Sequence, residues 1–147
     1  MNQPKQFNDT NIKRQSKIVW MTMQSSAPIL IAIVYFMNKL SLLEAIMPDI
    51  RNIFIGLCVI SIALPFTLLG FFKRLQNKIH DNLKLGMDNE PAELQRYFTF
   101  LLIGMALCEL SSMLGLVLYI VAGDYFYSLF FITVSFFLGF LYKPDLE

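Results

Sequence analysis

Little in this sequence can hold a metal, form a disulfide or carry a nucleophile. There is one histidine, His80, in a polar segment remote from either cysteine, so no ligand set with metal-site spacing exists. The two cysteines, Cys58 and Cys108, each lie inside an apolar run. Counting inwards from the ends of those runs puts them at different depths, so they read as small packing residues and not as a disulfide. No glycine-rich phosphate loop occurs, and the hydroxyls and thiols of the apolar runs have no partner base. The chain is therefore expected not to be an enzyme and to need no cofactor. Charge is scarce as well. Charged residues make up 16% of the chain and the formal net charge is +1, which gives nucleic acid no electrostatic footing.

What the chain has instead is apolar length. Hydrophobic residues are 56% of its 147 positions, too many for an ordinary soluble domain. They gather into runs over about 18–37, 52–72, 97–121 and 125–142. A helix of about 20 such residues covers a hydrocarbon layer of about 30 Å. The fold class expected is all-α, a polytopic membrane protein with four transmembrane helices and the bilayer as its first partner. The first run could be taken for a signal peptide, but it is too long and ends at Tyr35-Phe36-Met37-Asn38 with no small-x-small cleavage pattern. It reads as an uncleaved span. Within it Gln24, Ser25, Ser26 and Pro28 form a polar patch, where Pro28 cannot donate to the carbonyl of Gln24 and a kink follows.

Around these runs lie a basic arm (1–17), a polar segment (73–96) and a short tail (143–147). In the polar segment Phe71, Leu75, Ile79 and Leu83 keep a helical period, Gly86 is placed to end that helix, and Asn89 or Glu90 to start another with Pro91 in its first turn. A helical hairpin is expected to project from the membrane there, either as a solvated connector or as a docking surface. Ala122-Gly123-Asp124 reads as a tight turn into the last run, whose aromatics point in nearly every direction and predict a lipid-facing or peripheral helix. Lys5, Lys13, Arg14 and Lys17, the basic residues of 73–96, and Lys143 fall on one side, against Lys39 and Arg51 on the other. The positive-inside rule then puts both termini and the hairpin in the cytoplasm, and the protein in the bacterial inner membrane.

Small residues recur at helical spacing. Gly56, Ala63 and Gly70 are seven apart in the second run, and Gly104, Cys108, Ser111 and Gly115 share a stripe of the third. These faces are expected to meet as a close antiparallel hairpin, because helices in lipid associate by van der Waals contact where side chains are small. The third run also holds the only ionisable group near the middle of any run, Glu109. A carboxylate at that depth costs roughly 2.5–3.5 kcal/mol on insertion scales, which marks it as a site candidate. It sits about 120° from the centre of the small-residue stripe by the 3.6-residue period, with Ser112 nearest on the surface. Depth counting brings Ser26, Ser61 and Thr133 to the same layer. Desolvation favours the neutral acid there, and a hydrogen bond to one or more of these hydroxyls is expected. Two roles stay open: interhelical glue, in one chain or between copies, or a group that binds and releases a proton or cation.

One stretch carries a resemblance. Pro91 through Ile120 resembles the loop and second helix of the rotor-ring proteolipid of ATP synthases, subunit c. A proline-containing polar loop leads into Ala106-Leu107-Cys108-Glu109, and Gly115-Leu116-Val117 follows. The resemblance implies a subunit-c-like hairpin in which Glu109 stands at the position of the ion-carrying carboxylate. It covers about a fifth of the chain, and the family's glycine-rich first helix is reduced to Gly56, Ala63 and Gly70.

Overall fold

The computed structural model describes the backbone of residues 3–41, 46–86, 89 and 91–144, and the side chains of 11–41, 46–86, 89 and 92–144. The side chain of Lys5, the second expected cap Glu90 and the tail residues 145–147 lie outside the described residues. The described chain is an all-α membrane bundle: α1 (Gln3–Gln24), α2 (Ser26–Lys39), α3 (Arg51–Lys84), α4 (Pro91–Ala122) and α5 (Tyr125–Leu141), with one 3-10 turn before α3. Three segments are long and apolar enough to cross a membrane, namely Asn11–Lys39, Pro48–Lys84 and Ala92–Ala122, while α5 is a shorter apolar helix of 17 residues.

The breaks fall where local chemistry puts them. α1 and α2 are one span interrupted at Ser25, beside the Gln24 carbonyl from which Pro28 withholds its donor. The basic arm is not a separate element, for α1 already begins at Gln3. α3 has 34 residues and α4 has 32, about 50 Å each at 1.5 Å per residue, so both outrun the apolar layer at the same end. Gly86, at φ +67°, and Gly123, also at φ +67°, take the left-handed conformation that closes the two helix ends before them. Asn89, one of the two expected caps, is buried, and its side-chain oxygen accepts from Asn82 Nδ2 at 3.0 Å across the hairpin. Lys78 and Glu93 pair across the same hairpin, an exposed contact of little energetic weight.

α4 and α5 form the central pair, with α1–α2 against one flank and α3 against the other. The inward face of α5 is Ser128, Phe131, Ile132, Ser135, Leu138 and Gly139, while Phe126, Phe130, Phe137 and Phe140 look out. This corrects the expectation of a peripheral helix. The aromatics crowd the sequence, but the serines and Gly139 define a narrow face that lets α4 approach. The C-terminal end of α5 is held on two sides. Trp20 Nε1 donates to Gly139 O at 2.9 Å, Gln76 Nε2 donates to Lys143 O at 3.3 Å, and the Tyr142 hydroxyl donates to Pro65 O. Two of these bonds reach carbonyls at the end of α5, and the third ties that end to the middle of α3.

At the opposite end Asp124 has two roles. Its Oδ1 accepts from Tyr127 N at 3.1 Å as the N-cap of α5, and its Oδ2 pairs with Arg51 Nε at 2.5 Å. Asp124→Ala is expected to lower the stability of the micelle-held protein by about 1–2 kcal/mol, the range of lost N-caps. Asp124→Asn keeps the cap and should cost less. Denaturant titration in mixed micelles reads the difference, and equal losses for the two variants would contradict the capping role.

Candidate functional site

The break at Ser25 turns a polar cluster towards the middle of the bundle. Gln24, nearly fully buried, donates from Nε2 to Phe136 O on α5 at 2.7 Å, and Ser26 Oγ returns to Met23 O at 2.8 Å. Gly139 makes room for this: a Cβ there would lie 2.1 Å from Gln24 Oε1. Opposite the break, α4 presents Glu109 and, three residues on, Ser112, while α5 presents Ser135. Together with Gln24 and Ser26 these groups line a recess floored by Met105 and Cys108. The space within it is about 10 Å³, close to one water-molecule site.

Two groups in the recess are left unsatisfied. Ser135 Oγ is enclosed and has no hydrogen-bond partner among the described residues. Glu109 is half-buried, and no described residue donates to or accepts from its carboxyl. It stands at the edge of the outward stripe of α4, where Ile103, Ala106, Leu110 and Met113 are exposed. The carboxyl therefore reaches both the recess and the outside of the bundle.

The expected hydroxyl partners divide. Ser112 and Ser26 do share the recess with Glu109, although Ser26 already donates to its own helix. Ser61 and Thr133 do not line it. Ser61 is buried on α3 and donates to Cys58 O at 2.8 Å, as serines in apolar helices often do. The expected hydrogen bond between Glu109 and a hydroxyl of its own chain is thus absent among the described residues. Rotation about each helix axis decides which of these hydroxyls can meet the carboxyl. Gln24 and Ser135 are the recess members that the hydroxyl count left out. The spacing Ser128, Ser135, Gly139 on α5 was the available signal.

The expected seam between the second and third runs is also corrected. Gly56 and Gly70 have nothing within 4 Å of a notional Cβ, and Ala63 is exposed. These three face away from α4. The stripe on α4 is used, but against α5. At Gly104 a Cβ would fall 2.2 Å from the Tyr142 ring, and at Gly115 it would fall 2.9 Å from Ile132 Cγ1. Cys108 is buried in the main core cluster, and Ser111, also buried, donates to Leu107 O at 2.9 Å. Both cysteines are free thiols.

No protein-family model, curated protein or solved structure matches this chain.

Proposed function

We propose that this chain is a non-enzymatic multi-pass protein that acts by helix–helix association, with a second copy or with another membrane subunit, through the α4 face that carries Glu109. One observation supports the reading above all: the Glu109 carboxyl has no hydrogen-bond partner among the described residues and stands at the rim of the exposed stripe. An unsatisfied polar group in hydrocarbon costs several kcal/mol, so a second helix that supplies a donor or acceptor there gains affinity. Ala106, one turn away and exposed, allows that helix to come close. Under this reading the membrane is the bacterial inner membrane, and the basic residues put both termini and the α3–α4 hairpin in the cytoplasm.

A second reading rests on the recess. A carboxyl, an orphaned serine hydroxyl and room for about one water-sized occupant also suit a bound proton or small cation, released and rebound as the protein works. The subunit-c resemblance belongs with this reading, since it assigns Glu109 to an ion-carrying position.

Association in liposomes, followed by energy transfer between labelled copies or by stepwise photobleaching, separates the two. Glutamine keeps a donor and an acceptor, so Glu109→Gln is expected to associate within about threefold of the parent. Glu109→Leu is expected to be weaker by about 3- to 30-fold, the worth of roughly 0.6–2 kcal/mol for an interhelical hydrogen bond. Equal association of both variants would remove the glue role. Association unchanged by Glu109→Leu, with loss of protein-dependent proton or sodium flux in Glu109→Gln, would establish the second reading in its place.

A further inference from the structure

Where α3 and α4 leave the apolar zone, the bundle carries a belt of positive charge. Phe72 of α3 and Tyr97 of α4 stack at 5.2 Å between centroids, and Tyr142 sits 5.1 Å from Phe72. This fixes the three helices at one depth. Arg74 and Lys73 stand just beyond Phe72, Arg96 just before Tyr97, and Lys143 just after Tyr142. Lys17 on α1 is one turn short of Trp20, whose indole binds Gly139 O. Every spanning segment thus contributes a cation to one layer. Among the described residues, Glu93 is paired with Lys78, and Asp81 lies two turns beyond Arg74 along α3.

Two of these cations line grooves of similar chemistry. One, of about 210 Å³, is formed by Thr67, Gly70, Phe71 and Arg74 on α3. The other, of about 290 Å³, is formed by Ala92, Gln95, Arg96, Thr99 and Phe100 on α4. Each sets a guanidinium about one turn from a phenyl ring on the same helix, Arg74 from Phe71 and Arg96 from Phe100. The threonine hydroxyls donate to their own helices, Thr67 to Leu64 O at 2.7 Å and Thr99 to Gln95 O at 2.9 Å, so the guanidinium is the anion-binding group in each groove. Arg74 and Arg96 are exposed and have no hydrogen-bond or ion-pair partner among the described residues.

We infer that the two grooves bind the phosphate headgroups of anionic phospholipids, with Arg74 and Arg96 gripping phosphate and Phe71 and Phe100 lying along the upper acyl chains. The charge belt and the depth argue for this occupant. A guanidinium presents a fork of donors that matches phosphate oxygens bidentately, and cations next to a span gain from an anionic leaflet. In each groove the phenyl ring lies about one turn nearer the apolar run than the guanidinium, the order in which a phospholipid presents acyl chain and phosphate. The inference is independent of the role of Glu109, which lies more than three turns from Arg96 along α4.

The test is native mass spectrometry of the full chain from mixed micelles holding equal phosphatidylglycerol and phosphatidylcholine. The parent is expected to retain phosphatidylglycerol in up to two copies, with a preference over phosphatidylcholine of tenfold or more. Arg74→Gln and Arg96→Gln should each lower that preference by about fivefold, and the double variant should abolish it. Lys84→Gln, at the far end of α3, should leave it unchanged. Melting in phosphatidylcholine alone should be equal for all variants, which separates lipid loss from misfolding. No preference in the parent, full preference in the double variant, or an equal loss in Lys84→Gln would each overturn the inference. The last outcome would mean that diffuse positive charge, and not the two grooves, attracts the lipid.

Discussion

Tyr142→Ala is expected to destabilise the micelle-held protein by about 3–5 kcal/mol, the range for removing a fully buried aromatic and leaving a cavity. Tyr142 is fully buried and closes the junction of three helices. Its ring packs on Phe72 and fills the hollow over Gly104, and its hydroxyl donates to Pro65 O. The carbonyl it meets belongs to the proline inside α3. Tyr142→Phe keeps the ring and loses only the hydrogen bond, so it should cost about 0.6–1.7 kcal/mol. Unfolding by sodium dodecyl sulfate in mixed micelles measures both. A phenylalanine variant as weak as the alanine one would mean that the hydroxyl, and not the ring, holds the junction.

The reciprocal change is Gly104→Ala, expected to cost about 1–3 kcal/mol as overpacking. The added methyl would lie 2.2 Å from Tyr142 Cε1 and 2.5 Å from Cζ. The ring cannot easily retreat, because Phe72 backs it and Pro65 O holds its hydroxyl. In the Tyr142→Ala background the same methyl enters vacated space, so most of its cost should vanish. A double-mutant cycle reads that coupling directly. Gly56→Ala and Gly70→Ala serve as contrasts. With nothing within 4 Å at either site, each should be neutral or slightly stabilising through helix propensity. A loss at Gly56 matching that at Gly104 would contradict the assignment of seams.

The architecture was largely legible because backbone needs leave marks in sequence. Pro28 announced the break at Ser25, Gly86 and Gly123 the two left-handed closures, and the period of Leu75, Ile79 and Leu83 the helix that continues past the apolar run. Which faces meet was not legible. Gly56, Ala63 and Gly70 form as good a small-residue stripe as Gly104 and Gly115, yet only the latter receives another helix. In lipid, an apolar helix face is equally at ease against acyl chains or a neighbour, so the pattern that reveals inward faces in water is weak here. The deciding features were a bulky residue with a glycine opposite it, Tyr142 over Gly104, and a polar side chain with a carbonyl to reach, Gln24 to Phe136. Neither kind of pairing can be read from one helix at a time. The same limit explains Glu109: whether Ser61, Thr133, Ser135 or nothing would answer it depended on rotations that the spacing does not fix.

The openness of Glu109 is tested by reaction with dicyclohexylcarbodiimide in liposomes, the adduct located by mass spectrometry at increasing protein density. That reagent modifies neutral carboxyls that it can reach from an apolar phase. If Glu109 is unsatisfied within its chain and open at the rim of the α4 stripe, it is labelled selectively in dilute bilayers. It then becomes protected as copies, or a partner subunit, associate. Absence of labelling at every density would mean that the carboxyl is sealed inside the bundle, and the proposed association face would be lost with it.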